Sequence, residues 1–316
     1  MKVLVQGAGS VGLSLAALLA RRGHEVTVVA RDSDAPTIEK KGIHLVGALG
    51  ELDTPVTAVF TATQALPPGI FDLVLFTSRS YETREAARAC KRTIGKHTLV
   101  VSLQNGLGNL EQIEEILGPR KLLGATCTLA AETIAPATVR ISSAWNQLRV
   151  GEFRNHTPRE LAAGLAQEFE QAGLDAVVSD DIRRDLWARL CLDAVIHPLA
   201  ALLDAPAGEL PKRDNAVVII TALVEEIFLV AHRLEIPLPW SDPQAFEKVL
   251  FQQLIPAHAQ YRPAMLRDIS QGKRTEIDGM NGYLVTLGRR HEISTPVNAY
   301  VTDLIEKKAL IWRQSA

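Results

Sequence analysis

The sequence is poor in the features that mark several large protein classes. It has only three cysteines, Cys90, Cys127 and Cys191, far apart and with no Cys-x-x-Cys pair. That excludes a disulfide scaffold and a cysteine-ligated zinc site, and it points to a reducing compartment. No His-x-His or His-Glu-x-x-His spacing occurs; His24 and His44 stand beside turns, and His232, His258 and His291 are isolated on helical runs. No metal site is expected. An excess of basic charge is also missing, since 34 Lys and Arg face 36 Asp and Glu. Nucleic-acid binding draws its affinity from phosphate contacts, so no nucleic-acid partner is expected. The chain opens MKVLVQGAGSVG, where glycines interrupt the apolar run at once, so no secretory leader is read there. The longest uncharged stretch, 54–71, contains three prolines and is too broken for a membrane helix of about 20 apolar residues. The expectation is a cytoplasmic protein without a membrane partner.

What is present is ordinary globular material: 47% hydrophobic and 22% charged residues. At 316 residues the chain exceeds the usual size of a single core, so two domains are expected. The first thirty residues are the most informative. A β-branched run, Lys2 to Gln6, leads into Gly7, Ala8, Gly9, Ser10, Val11 and Gly12, a helical run closing at Gly23, and a second strand, Glu25 to Ala30. Strand, glycine turn, helix and strand in this order are the context a dinucleotide fingerprint requires. Gly7 allows the tight turn, Gly9 the approach of a pyrophosphate, and Gly12 close packing of helix on strand. The residue ending the second strand chooses the cofactor. An acid there holds ribose hydroxyls, whereas the Arg31 found here suits a 2′-phosphate and favours NADP. Asp32 and Asp34, just beyond, are the competing candidates for a ribose contact.

The β/α alternation continues. Ala58 to Phe60 reads as an edge strand, Leu73 to Thr77 and Thr98 to Leu103 as core strands, and 81–94 and 109–117 as helices. Arg79 and Asn105 follow the two core strands, so their loops are delivered to the cofactor crevice. From Leu122 to Gly151 the pattern is β-rich and reads as an extension of the sheet. After Ser179 the chain changes to long helical runs. The reading is therefore an α/β Rossmann domain over 1–179 and an all-helical substrate domain over 180–316.

One helix carries the chemistry. From Leu186 to Leu203 it is apolar except for Arg189, Asp193 and His197, which stand four residues apart and so form one stripe. A buried charge is paired or faces a cleft. The stripe is therefore either an internal neutralised pair or part of a site. Reduction of a carbonyl needs a proton donor for the developing alkoxide, which His can be near neutral pH and Arg hardly can. Arg suits a carboxylate instead. Pro198 is expected to break or kink this helix. Glu225 and Glu226, and Lys307 and Lys308, read as solvated helix faces, and the last helix, 297–312, serves either the core or a dimer.

On these residues the chain resembles the ketopantoate reductase (2-dehydropantoate 2-reductase) family. The matching pieces are GAGSVG at 7–12, HEVTVVAR at 24–31, QNGLGN at 104–109, DDIRRDLWARLCLDAVIHPLAAL at 180–202 and RTEIDGMNGYLV at 274–285. The resemblance implies NADPH-dependent reduction of a small 2-oxo acid, a step of pantothenate biosynthesis, by a Rossmann domain joined to a helical one. It implies cofactor contacts at Gly7, Gly9, Gly12 and Arg31. Arg79 stands in place of a cofactor-proximal lysine, Asn105 beside nicotinamide and substrate, and Glu276 as the active-site glutamate. Asn281 in the same stretch is compatible with a hydrogen bond between helices, and no role is assigned to it. The departures cluster on the catalytic helix. Arg189 stands where the family has its proton-donating lysine, Asp193 and His197 where it has asparagines, and Pro263 or Ala264 where it has a substrate-gripping serine. Two donors are open: His197 oriented by Asp193, with Arg189 on the substrate's acidic group, or Glu276, directly or through a water. Two other functions stay open as well: a relative reducing another carbonyl or an imine, and a non-catalytic NADP sensor.

Overall fold

The computed structural model describes residues 1–61, 66–68, 71–118, 121–127, 129–144, 147–154 and 157–315. It separates into two compact units, and the division is not a single cut: residues 1–104 and 109–182 form one, residues 105–108 and 183–316 the other.

The first unit alternates strand and helix. Its elements begin with β1 (Lys2–Gln6), α1 (Ser10–Arg21), β2 (Glu25–Ala30), α2 (Ala35–Lys41), β3 (Ile43–Gly47), β4 (Leu52–Thr54) and β5 (Ala58–Thr61). They continue with β6 (Leu73–Phe76), α3 (Thr83–Cys90), β7 (Leu99–Ser102), α4 (Asn109–Leu117) and β8 (Lys121–Thr126). β9 (Leu129–Ala135), β10 (Thr138–Ala144), β11 (Leu148–Glu152), α5 (Arg159–Gln171) and β12 (Ala176–Val178) complete it. Eight strands form one sheet in the order β12-β11-β8-β7-β6-β1-β2-β5, parallel except where β11 meets β8. β1, β2, β6 and β7 are nearly continuous apolar runs because both faces of a parallel sheet are covered. The chain winds outward from β1 through β2 to β5, then returns to β6 on the other side of β1. That reversal is the switch point at which α/β sheets open a crevice at their carboxyl ends.

The β-rich stretch after Leu122 extends this sheet only in part. β8 and β11 join it, but β9 and β10 pair with β3 and β4 in a separate four-stranded sheet, β4-β3-β10-β9. The reason lies in α1, whose Leu13, Leu15, Ala16, Ala17, Leu18 and Leu19 are all buried. A helix apolar nearly all round needs cover on both sides. The large sheet covers one side and the small sheet, against which α1 also packs, the other.

The second unit is helical: α6 (Ile182–Leu203), which enters from the first unit's last residue, α7 (Asp214–Arg233), α8 (Pro243–Val249), α9 (Ile255–Ala257), α10 (Ala264–Ser270), α11 (Asn281–Arg290) and α12 (Pro296–Ser315). α6 and α7 are long and apolar enough to cross a membrane, but both line this unit's own core through Leu190, Val195, Leu199, Leu223, Ile227 and Val230. α12 divides its apolar residues, with Val301, Ile305 and Ala309 in the core and Tyr300, Leu310, Ile311 and Trp312 exposed.

Three sequence expectations are corrected in this unit. Of the break or kink expected at Pro198, the break does not occur: α6 continues to Leu203. Glu226 is not a solvated acid: it is buried, and its carboxylate accepts the Val297 and Asn298 backbone N–H groups at 2.8 and 2.9 Å, capping α12. Lys308 is half-buried and its Nζ donates to the Ala201 and Leu202 carbonyls at 2.8 and 3.0 Å, satisfying the last turn of α6. Both residues lie on faces that charge alone marks as solvent-facing, and helix termini drew them inward.

Candidate active site

In the first unit the glycine turn sits at the switch point. Gly7 has φ +119°, and a Cβ there would lie 2.5 Å from the Ser78 backbone nitrogen, so the turn presses against the loop after β6. Gly12 faces back onto the turn, where a Cβ would lie 1.9 Å from the Gly7 carbonyl oxygen. Gly9 differs. It is exposed, its φ and ψ are −75° and 179°, and no atom of the described residues lies within 4 Å of where its Cβ would be. Nothing among the described residues requires a glycine there, so the absent side chain leaves room for a ligand. Gly9 is also the N-cap of α1 and brings no side-chain cap to its first N–H groups. Ala8, Ser10 and Val11 are half-buried around this opening. The cradle fits a dinucleotide pyrophosphate.

Gln104 fastens the loops beside it. Its Nε2 donates to the Ser78 carbonyl at 3.0 Å and to Thr83 Oγ1 at 2.8 Å, and Thr83 donates on to Asn109 Oδ1 at 2.9 Å. Arg79 is half-buried in the loop so held, and its backbone N–H donates to Glu82 at 3.2 Å. Sequence reasoning passed over Gln104, although it directly precedes Asn105. Arg31 directly follows β2, has its side chain 69% exposed and engages Asp34 Oδ2 through Nε at 3.0 Å and Nη2 at 2.8 Å.

In the second unit the stripe on α6 is buried and paired. Arg189 Nε donates to Asp193 Oδ2 at 2.7 Å, and Asp193 Oδ1 lies 3.5 Å from His197 Nε2, which has no hydrogen-bond partner among the described residues. Asp193 and His197 are 2% and 3% exposed, while the Arg189 side chain is 19% exposed. The charge on α6 is thus graded from Arg189, nearest solvent, to a dry imidazole. Glu276 is buried at the turn before α11, and Arg267 of α10 also bears on His197. The Tyr261 ring packs 6.3 Å from the imidazole. Tyr261 and Arg267 were not singled out from the sequence, since both come from elements whose packing decides their position. Asn105 belongs to this unit: its loop is bound by the Leu107 N–H donating to the Gly279 carbonyl at 2.8 Å, three residues after Glu276. Pro263 and Ala264, in place of a serine, form the start of α10 and offer no hydroxyl.

Burial pushes the imidazole of His197 below its ordinary value of 6.5; Asp193 and Glu276 oppose the shift, and Arg189 and Arg267 add to it. The folded chain therefore binds this proton less readily than the unfolded chain. The resulting stability is full above pH 6.5 and falls as pH drops below it. Urea unfolding at about pH 8 and about pH 5 should show a lower midpoint in acid, and a smaller drop for His197→Gln. An equal drop in both would assign the loss to other groups. Burial also raises the Tyr261 phenol, keeping it protonated, and pushes the Cys90 thiol up to about 12 and Cys191 up as well, so neither thiol is a nucleophile near neutrality. Among the described residues no group of three or more His, Cys, Asp or Glu could hold a metal ion.

A glycine-cradled parallel sheet, followed by a helical unit with a buried Arg–Asp–His stripe, defines a protein of the dinucleotide-binding Rossmann class. The profile described as ketopantoate reductase PanE/ApbA matches residues 3–155, and that of the PanE/ApbA C-terminal region matches 181–309. The chain belongs to the ketopantoate reductase PanE/ApbA family. It is 31% identical to the 2-dehydropantoate 2-reductase of Aquifex aeolicus over 310 residues, covering 98% of this chain and 97% of that one. A PanE/ApbA family ketopantoate reductase from Ralstonia eutropha is 30% identical, with a TM-score of 0.87 and coverage of 99% and 100%. D-mandelate dehydrogenase in a ternary structure with NADH and anilino(oxo)acetate shares the fold, with a TM-score of 0.88, 22% identity and 99% coverage of both chains.

Proposed function

We propose that the chain reduces a small 2-oxo acid with NADPH, the acid being 2-dehydropantoate or a near relative. The observation that carries this reading is the Arg189–Asp193–His197 stripe with Glu276 beside it. A non-catalytic nucleotide sensor has no use for a buried acid–base cluster, and the relatives act on 2-oxo acids by name. When bound, the reduced nicotinamide supplies a hydride to the substrate's carbonyl carbon. Gly9 makes room for the pyrophosphate and the α1 terminus attracts its charge. Arg189 grips the substrate carboxylate, Asp193 holds Arg189 and sets the imidazole, and His197 Nε2 carries the proton for the alkoxide oxygen. Because burial disfavours the charged imidazole, kcat/KM for reduction should rise as pH falls toward and below 6.5. A second reading has Glu276 as the acid, and the reluctance of His197 to hold a proton favours it. We place the protein in the cytoplasm, on its three widely spaced cysteines with no pairing motif.

The test of the reaction is oxidation of NADPH by the purified chain with 2-dehydropantoate beside a panel of 2-oxo acids. No acceleration by any of them would overturn the reductase reading in favour of a sensor. Cofactor choice is tested at Arg31. A charge-assisted phosphate contact is worth about 1.5–3 kcal/mol, so Arg31→Ala should weaken NADPH binding by about 10- to 100-fold while leaving NADH unchanged. Asp34 already occupies Arg31, which favours NADH as the alternative. Equal losses for both cofactors, or none, would remove Arg31 from the choice, and the ratio of NADPH to NADH affinity in the unsubstituted chain then decides it.

A further inference from the structure

Pro198 leaves a vacancy in α6. In an α-helix the N–H of residue 198 donates to the carbonyl of residue 194, and proline has no N–H and crowds that carbonyl with its ring. Ala194 is fully buried, so water cannot replace the lost bond, and an unmatched carbonyl there is costly. The Asn281 side chain fills the vacancy: its Nδ2 donates to the Ala194 carbonyl oxygen at 2.8 Å, from the first residue of α11. Asn281 is itself fully buried.

The direction of this amide is set by three residues in series. The Glu226 carboxylate is an acceptor only, and Asn298 donates to it through Nδ2 at 2.7 Å and through its backbone N–H at 2.9 Å. Asn298 Oδ1 must then turn the other way, where it accepts the second hydrogen of Asn281 Nδ2 at 2.9 Å. Both Asn281 N–H groups are thereby committed, one to Asn298 and one to Ala194, and its Oδ1 has no partner among the described residues. A flipped Asn281 would place two oxygens against it, so the amide has one orientation.

We propose that Asn281 is a positioning residue that supplies the N–H missing at Pro198 and so keeps α6 helical through the turn that presents His197 to the substrate. The residue before Pro198 is His197, and the 3.5 Å approach to Asp193 depends on a regular turn between them. The buried chain from Glu226 to Ala194 is what allows proline to stand inside a helix that carries the site. Only the effect on turnover rests on the function proposed above; the hydrogen bond and its structural role do not.

The test is a rescue. Asn281→Ala should expose α6 to faster backbone hydrogen exchange over residues 194–203, by about tenfold or more. It should also lower kcat by a similar factor with KM for NADPH unchanged, because small displacements of a catalytic group are amplified in rate. Pro198→Ala restores the backbone donor, so alone it should be near wild type. In the double variant P198A/N281A, exchange and kcat should return to within about twofold of P198A. If N281A does not fold, the double variant should. A double variant no better than N281A, or an N281A indistinguishable from wild type, overturns the proposal. Failure of the reductase reading shows separately, as absence of turnover in every variant including wild type, and hydrogen exchange still decides the role of Asn281.

Discussion

His197→Asn is expected to reduce turnover by about 10²- to 10⁴-fold, the usual contribution of a positioned general acid, while NADPH affinity stays unchanged. The substitution keeps a polar amide at a site only 3% exposed and removes the ability to carry a proton near neutrality; it also gives up the ring contact with Tyr261, whose packing cost shows as a drop in stability and not in the pH profile. Steady-state kinetics and a cofactor titration on the same preparation separate the two effects. A loss of kcat with KM for the 2-oxo acid little changed would place the imidazole in the transition state and not in substrate binding. The pH profile gives the same answer independently, because the rise of kcat/KM in acid should vanish with the imidazole. Unchanged turnover would remove His197 from the chemistry and leave Glu276, directly or through a water, as the donor. Glu276→Gln should then show the large loss instead.

The glycine cradle yields a paired prediction with opposite signatures. Gly12→Ala puts a methyl 1.9 Å from the Gly7 carbonyl oxygen, a backbone atom that cannot swing away, so α1 must shift. Overpacking of this kind costs about 1–3 kcal/mol, and both stability and NADPH affinity should fall. Gly9→Ala meets no atom of the described residues within 4 Å and its backbone angles suit any residue; the entropy gain is offset by alanine being a poorer N-cap than glycine, so stability should change by less than about 1 kcal/mol. NADPH affinity should nevertheless fall by about tenfold or more, since the methyl occupies the space left for the pyrophosphate. Thermal unfolding read beside fluorescence titration of NADPH distinguishes the two. Undiminished binding by Gly9→Ala would mean that the dinucleotide does not cross the turn at this residue.

Much of the molecule was legible in the sequence because local physics dictates it. Lys2–Gln6, Gly7, Gly9, Gly12 and Glu25–Ala30 have only one common reading, since a continuous apolar strand, a glycine turn and a helix at these spacings are each determined within a few residues. The same holds for the α6 stripe, where the spacing of Arg189, Asp193 and His197 specifies one face of any helix they share. The small sheet was not legible, because β3 and β10 pair across some ninety intervening residues and strand periodicity names no partner.

What the sequence by itself determined is therefore the strand–helix alternation around the glycine turn, the turn itself and the Arg189–Asp193–His197 stripe, all properties of period and spacing. Tertiary structure alone decided how the breaks in those local rules were repaired. Pro198 is a helix breaker until Asn281 supplies its missing donor. Glu226 and Lys308 are surface charges until the termini of α12 and α6 claim them. Unpaired backbone groups in a dry interior are too costly to leave, and the side chains that satisfy them come from whichever distant segment packs alongside.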